Sequence, residues 1–204
     1  MSVSYYQRKG LLQLDVKSIM IVGVGGQGTL LASRLLGSAL LSRGYDVKVS
    51  EVHGMSQRGG AVVTYVKYGE SVASPIIEQG EADIILAFEL LEAARWFSFM
   101  KPEGKLIVNT QQIDPMPVVI GNAVYPEGVL ENLRSAGADV TEIDALPLAE
   151  QAGSVKAVNV VLIGAMAARM DLPKEVWQAA IQETVPPKFL EMNLKAFDAG
   201  YSIK

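Results

Sequence analysis

Apolar positions along this chain follow two alternating rhythms: short β-branched runs that read as strands, and longer runs with helical spacing. Ser18–Val22 (SIMIV) is the first run and predicts a buried strand. Gln27–Arg43 places Leu30, Leu31, Leu35, Leu36, Ala39 and Leu40 at helical spacing, and Gly44 ends that helix. Asp46–Glu51 alternates polar and apolar residues, so it predicts a second strand. After the polar, glycine-rich stretch His53–Gly60, Ala61–Tyr68 predicts a third strand near a sheet edge. Asp83–Phe88 predicts a strand, Glu89–Phe99 a helix, Lys101–Gly104 a turn and Lys105–Asn109 another strand. Asp114–Tyr125 is broken by Pro115 and Pro117 and predicts no regular element. Gly128–Ala136 reads as a helix and Asp139–Ile143 as a strand. Ala145–Gln151, Val155–Met170, Lys174–Glu183 and Pro187–Phe197 complete the chain as helices.

Strands alternating with helices predict an α/β fold: a Rossmann-like, open, mostly parallel sheet with helices on both faces and a helical C-terminal segment. Residues 1–17 read as an N-terminal arm, and 18–204 as one domain. The stretch Ala157–Ala168 is apolar nearly all round, which predicts a buried helix. Trp96, Phe97, Phe99 and Met100 are expected in core or interface packing rather than in a cofactor-stacking box. Glu81, Asp83, Glu89 and Glu92 are expected on solvated surface and as helix N-terminal charge.

Composition narrows the chemistry. Half of the 204 residues are hydrophobic, 20% are charged, and the formal net charge is −4. That balance argues against a nucleic-acid partner, which requires a basic face. The chain has no cysteine and one histidine, His53. It therefore cannot hold an iron–sulfur cluster by thiolates, and no metal site is expected. No apolar run is long enough for a membrane span, and the first residues lack a signal-peptide pattern. A soluble, cytoplasmic protein is expected.

Two segments carry candidate chemistry. Gly23-Val24-Gly25-Gly26-Gln27-Gly28 fits G-x-G-x-x-G between a predicted strand and a predicted helix. Glycines there permit a tight turn, close approach of a phosphate to the backbone, and close packing of helix on strand. The helix N-terminus supplies N–H groups and partial positive charge. Glu51 lies where an NAD ribose would be bound, so a stand-alone NAD(P)-binding oxidoreductase using Gly23–Gly28 is an open alternative. The second segment is His53-Gly54-Met55-Ser56-Gln57-Arg58-Gly59-Gly60. It should lie beside the glycine turn, at the strand ends where open α/β sheets bind ligands. Arg58 can grip a carboxylate or phosphate in a bidentate fashion, and Gly59 and Gly60 let backbone approach a ligand or a neighbouring chain. Asn159, inside the apolar helix, is expected to be a buried amide satisfied by backbone.

Together these segments resemble the gamma subunit family of 2-oxoacid:ferredoxin oxidoreductases, and most closely its indolepyruvate-type beta subunits. The resembling residues are Ile21–Gly28 and Glu51–Gly60, with weaker pieces at Asn159–Ala165 and Asn193–Gly200. The resemblance implies a holoenzyme that oxidatively decarboxylates a 2-oxoacid, such as indolepyruvate or pyruvate, to an acyl-CoA with reduction of ferredoxin. It implies thiamine diphosphate with Mg and iron–sulfur clusters, carried mainly by a larger, cysteine-containing alpha-type subunit. The chain itself would shape the coenzyme A side of the site. Gly23, Gly25, Gly26, Gln27 and Gly28 match the family's turn, and His53, Ser56, Gln57, Arg58, Gly59 and Gly60 match its loop. Contact with coenzyme A and contact with the partner subunit are both open for these residues.

Overall fold

The computed structural model describes residues 16–54 and 60–203. Its elements in chain order are β1 (Lys17–Val24), α1 (Thr29–Ser42), β2 (Asp46–His53), β3 (Ala61–Gly69), β4 (Ala82–Ala87), α2 (Leu90–Trp96), β5 (Met100–Asn109), α3 (Met116–Val119), α4 (Val129–Ser135), β6 (Asp139–Ile143), α5 (Ala145–Ala152), α6 (Val158–Ala167), α7 (Lys174–Thr184) and α8 (Leu190–Tyr201). The sheet order is β2-β3-β1-β4-β5-β6. β1, β4, β5 and β6 pair in parallel, whereas β3 runs antiparallel to both of its neighbours.

The expected α/β sheet is therefore present, with one difference. β3 lies near an edge as expected, between β1 and the edge strand β2, but it runs against both of them. The chain makes a hairpin from β2 into β3, where a helical crossover would otherwise have kept the strands parallel. Period-two patterning reports a half-covered strand but not its direction in the sheet. A second difference is at β5. Met100 and the Lys101–Gly104 turn belong to the strand as an irregularity, with Ala82 opposite Met100 and Ile84 opposite Lys105. The proline-broken stretch contains one short helix, α3.

Alternation along β1 explains why the sheet is covered on both sides. Ile19 and Ile21 face one cluster, which includes Leu36 and Leu40 of α1, Val161 and Ile163 of α6, Trp177 of α7 and Phe197 of α8. Met20 and Val22 face the other, with Leu90 and Ala93 of α2 and Val129 and Leu133 of α4. Trp96, Phe97 and Phe99 pack against this second cluster, to which Met100 belongs, as expected of core residues. α6 is buried along its length, including Asn159. No helix among the described residues is long and apolar enough to cross a membrane.

Two weaker pieces of the resemblance meet in this packing. A Cβ on Gly164 of α6 would lie 2.2 Å from the Phe197 carbonyl oxygen, and a Cβ on Gly200 of α8 would lie 1.9 Å from the Val161 carbonyl oxygen. The two helices therefore touch backbone to backbone, which only glycine permits. Asn193 secures the same helix, donating from Nδ2 to the Phe189 carbonyl (2.8 Å). These pieces build the scaffold behind the sheet. Gly200→Ala should force the helices apart and cost about 3 kcal/mol, as overpacking does. That loss corresponds to a melting temperature roughly 6–12 °C lower for a chain of this size, measurable by calorimetry.

Candidate functional site at the carboxyl ends of the strands

The carboxyl end of β1 runs directly into the glycine turn. At Gly23 a side chain is excluded: a Cβ would come 2.7 Å from Gln27 Oε1 and 2.9 Å from Phe88 Cβ. Gly26 and Gly28 have φ of 101° and 84°, left-handed values that favour glycine. Among the described residues nothing lies within 4 Å of a Cβ built on Gly26, so they leave the outer side of the turn open. Gly28 starts α1 without any side-chain cap. The end of α1 thus carries N–H groups and partial positive charge facing the strand ends.

The Gln27 side chain ties the strand ends together. Its Oε1 accepts the N–H of Val24 (2.7 Å), and its Nε2 donates to the Phe88 carbonyl (2.9 Å) and to Gln111 Oε1 (3.1 Å). One carboxamide thereby joins the ends of β1 and β4 to the segment that follows β5. The side chain is half-buried with both ends of its amide engaged, and its backbone forms part of the turn. Asn109 makes a parallel link, donating to the Phe88 carbonyl (3.0 Å) and accepting from the N–H of Ala145 at the start of α5 (3.2 Å).

The loop's two flanks lie beside the turn, as the strand order requires. The N–H of Gly25 donates to the Gly60 carbonyl (2.9 Å), and the N–H of Gly54 donates to the Ala61 carbonyl (3.0 Å). Ser56, Gln57, Arg58 and Gly59 lie outside the described residues. His53 ends β2 with its imidazole largely exposed; its Nε2 is 2.8 Å from Glu51 Oε1. Glu51 Oε2 accepts from the Thr64 hydroxyl (3.0 Å). Both carboxylate oxygens of Glu51 are therefore engaged. β3 separates Glu51 from β1 by two strand spacings, roughly 10 Å. An NAD ribose carboxylate belongs on the strand adjacent to β1. Glu51 is therefore not placed to hold an NAD ribose beside the Gly23–Gly28 turn.

Two acidic residues were expected on the solvated surface, and both are buried. Glu89 is 1% exposed and Glu92 4%. Glu89 caps α2 by accepting the N–H of Glu92 (2.9 Å), so its helix-terminal role holds. It also accepts from the Ile113 N–H (3.0 Å) and from the Tyr125 hydroxyl (2.5 Å). Tyr125 in turn accepts the N–H of Leu91 (3.0 Å). Burial and the Glu89 carboxylate together push the Tyr125 phenol well above its ordinary range. Glu92 is held by Arg95 (2.9 Å) and by the indole N–H of Trp96 (3.2 Å). This network pins the excursion between β5 and α4 onto the strand ends. Glu89 directly after a strand, three residues before Glu92, is the one capping signal in the sequence that pointed to it.

The fold and the site define a class: an α/β domain with a glycine turn at its first strand and a β2–β3 hairpin whose flank at Gly60 is bonded to that turn. The profile of the family described as pyruvate ferredoxin/flavodoxin oxidoreductase matches residues 18–203, and the chain belongs to that family. It is 42% identical over 190 residues to an indolepyruvate oxidoreductase subunit IorB of Thermococcus kodakarensis, covering 90% of this chain and 93% of that protein. It is 43% identical over 190 residues to the IorB subunit of Pyrococcus horikoshii, with the same coverage. Among solved structures, the keto/oxoacid ferredoxin oxidoreductase gamma subunit of Geobacter sulfurreducens superposes with a TM-score of 0.68 at 25% identity. That superposition covers 91% of this chain and 96% of the gamma subunit.

Tyr125→Phe should cost about 2 kcal/mol, because it removes a bond to a charged acceptor and strands the Leu91 N–H. Urea unfolding should show a lower midpoint with an unchanged slope.

Proposed function

We propose that this chain is the non-cluster subunit of a cytoplasmic, thiamine-dependent 2-oxoacid:ferredoxin oxidoreductase of the indolepyruvate type. Residues 18–204 act in it as one gamma-type domain. The holoenzyme oxidatively decarboxylates a 2-oxoacid: the C1–C2 bond breaks, carbon dioxide leaves, and the acyl group joins the sulfur of coenzyme A. Two electrons pass to ferredoxin. The observation that carries the reading is the glycine turn at the α1 N-terminus, bonded to the flank of the β2–β3 hairpin through Gly25 and Gly60. Identity above 40% to indolepyruvate oxidoreductase subunits, over nine-tenths of each chain, supports the same reading.

The residues divide the work in a definite way. No cysteine is present, so iron–sulfur clusters belong to the larger alpha-type partner subunit. Thiamine diphosphate with Mg, on that partner, supplies the stabilised carbanion on which decarboxylation depends. This chain contributes the coenzyme A side. The backbone at Gly25–Gly28 and the first N–H groups of α1 receive a phosphate. Arg58 adds a guanidinium fork, and Ser56 and Gln57 add polar contacts. His53, held by Glu51, lines the same rim.

The test uses the complex reconstituted with the cysteine-bearing subunit, assayed for ferredoxin reduction by indolepyruvate. Gly26→Val should raise the KM for coenzyme A about tenfold with little change in kcat, because a side chain closes the open face of the turn. Arg58→Ala should raise the same KM while leaving the melting temperature within about 2 °C. Unchanged KM values in both variants would overturn the coenzyme A assignment. Oxidation of a 2-oxoacid by the isolated chain, or tight NADH binding to it, would overturn the division of labour.

A further inference from the structure

The third glycine of the turn is held from outside its own helix. A Cβ on Gly28 would lie 2.6 Å from Asn159 Nδ2, so the asparagine side chain is aimed straight at the turn. Nδ2 donates to the Gly28 carbonyl (3.3 Å). Asn159 is 6% exposed, and its Oδ1 is buried with no hydrogen-bond donor among the described residues. The amide is therefore only half satisfied, where full satisfaction by backbone was expected.

That half-satisfied amide separates packing from positioning. An aliphatic side chain of the same shape would fill the space without burying an unpaired acceptor, and because Leu31 and Ala32 still donate to the Gly28 carbonyl the replacement strands no polar group. Packing alone does not account for the asparagine; its donor end does. The Gly28 carbonyl already accepts the N–H groups of Leu31 (3.2 Å) and Ala32 (3.3 Å). The bond from Asn159 adds a fixed partner from α6. The Gly28 carbonyl and the Thr29 N–H belong to one planar peptide and point in opposite directions. Whatever orients the carbonyl therefore also aims the first N–H of α1, out of the uncapped helix end.

We infer that Asn159 is a positioning residue for coenzyme A: through the Gly28 peptide it aims the Thr29 N–H at a phosphate of that substrate. The inference rests on the coenzyme A reading of the turn. Asn159 acts without touching the ligand, and the asymmetry of its two polar ends distinguishes it from a core residue.

Asn159→Leu and Asn159→Asp test this in the reconstituted complex. The leucine variant should melt at the same or a higher temperature, while its KM for coenzyme A rises roughly tenfold at nearly constant kcat. The aspartate variant keeps the shape, cannot donate when ionised, and brings negative charge to the phosphate site. Its KM should rise further, and the excess over leucine should shrink in high salt. A lower melting temperature for Asn159→Leu with an unmoved KM would make Asn159 a packing residue and overturn the inference. If the leucine variant fails to fold, the KM of the aspartate variant decides alone. Should Gly26→Val raise the KM while neither Asn159 variant does, only this inference fails. Should none of the three move it, the coenzyme A reading of the turn fails with it.

Discussion

The carboxamide of Gln27 is the bond on which the site depends. Parallel strands do not tie their own carboxyl ends together, because each leaves toward a separate helix or loop. Here one side chain spans that gap, taking the Val24 N–H on one side and the Phe88 carbonyl and Gln111 on the other. The same contact leaves no room for a side chain at Gly23. Gly23 and Gln27 thus form one unit that closes the floor of the turn. The backbone of Gly25 and Gly26 remains on the outer side, where it can meet a ligand. A residue inside a linear glycine motif is thus also the support for its neighbours.

The second constraint is the hairpin of β2 and β3. Placing an antiparallel strand between β1 and β2 brings the start of β3 beside the end of β1, where the Gly25 N–H meets the Gly60 carbonyl. A helical crossover would have put β2 beside β1 and set Glu51 next to the turn, as a dinucleotide fold does. Instead Glu51 is spent on Thr64 and His53 at the sheet edge. The one reversed strand moves Glu51 away from the turn and brings Gly60 to it, with the glycines unchanged.

Behind this surface the helices are packed to different tolerances. α6 and α8 touch backbone to backbone through Gly164 and Gly200, which fixes α6 against the sheet. Because Asn159 rides on α6, that tight packing also sets where its amide meets Gly28. On the other side, Glu89 and Tyr125 pin the excursion after β5. That excursion keeps Met116, Val119, Ile120 and Val124 exposed, although they are large and apolar. The rigid parts of the molecule thus converge on one end of the sheet from both faces.

The sequence by itself determined the α/β class, nearly every strand and helix, the place of the glycine turn and that this chain holds no iron–sulfur cluster by thiolates. Each of these depends on local periodicity, glycine spacing or composition, which a linear chain displays openly. It did not show that β3 runs against its neighbours, because alternation of apolar residues is the same in either strand direction. Nor did it show that Gln27 ties the strand ends together, that Glu89 and Glu92 are buried, or that Asn159 reaches across to Gly28. Gln27 and Asn159 reach carbonyls 61 and 131 positions away, and Glu89 reaches partners 24 and 36 away, whereas Glu92 is held by its near neighbours Arg95 and Trp96 in a helix that the fold buries. Burial of a polar group is decided by which distant donors the fold brings to it. Only the tertiary structure could supply them.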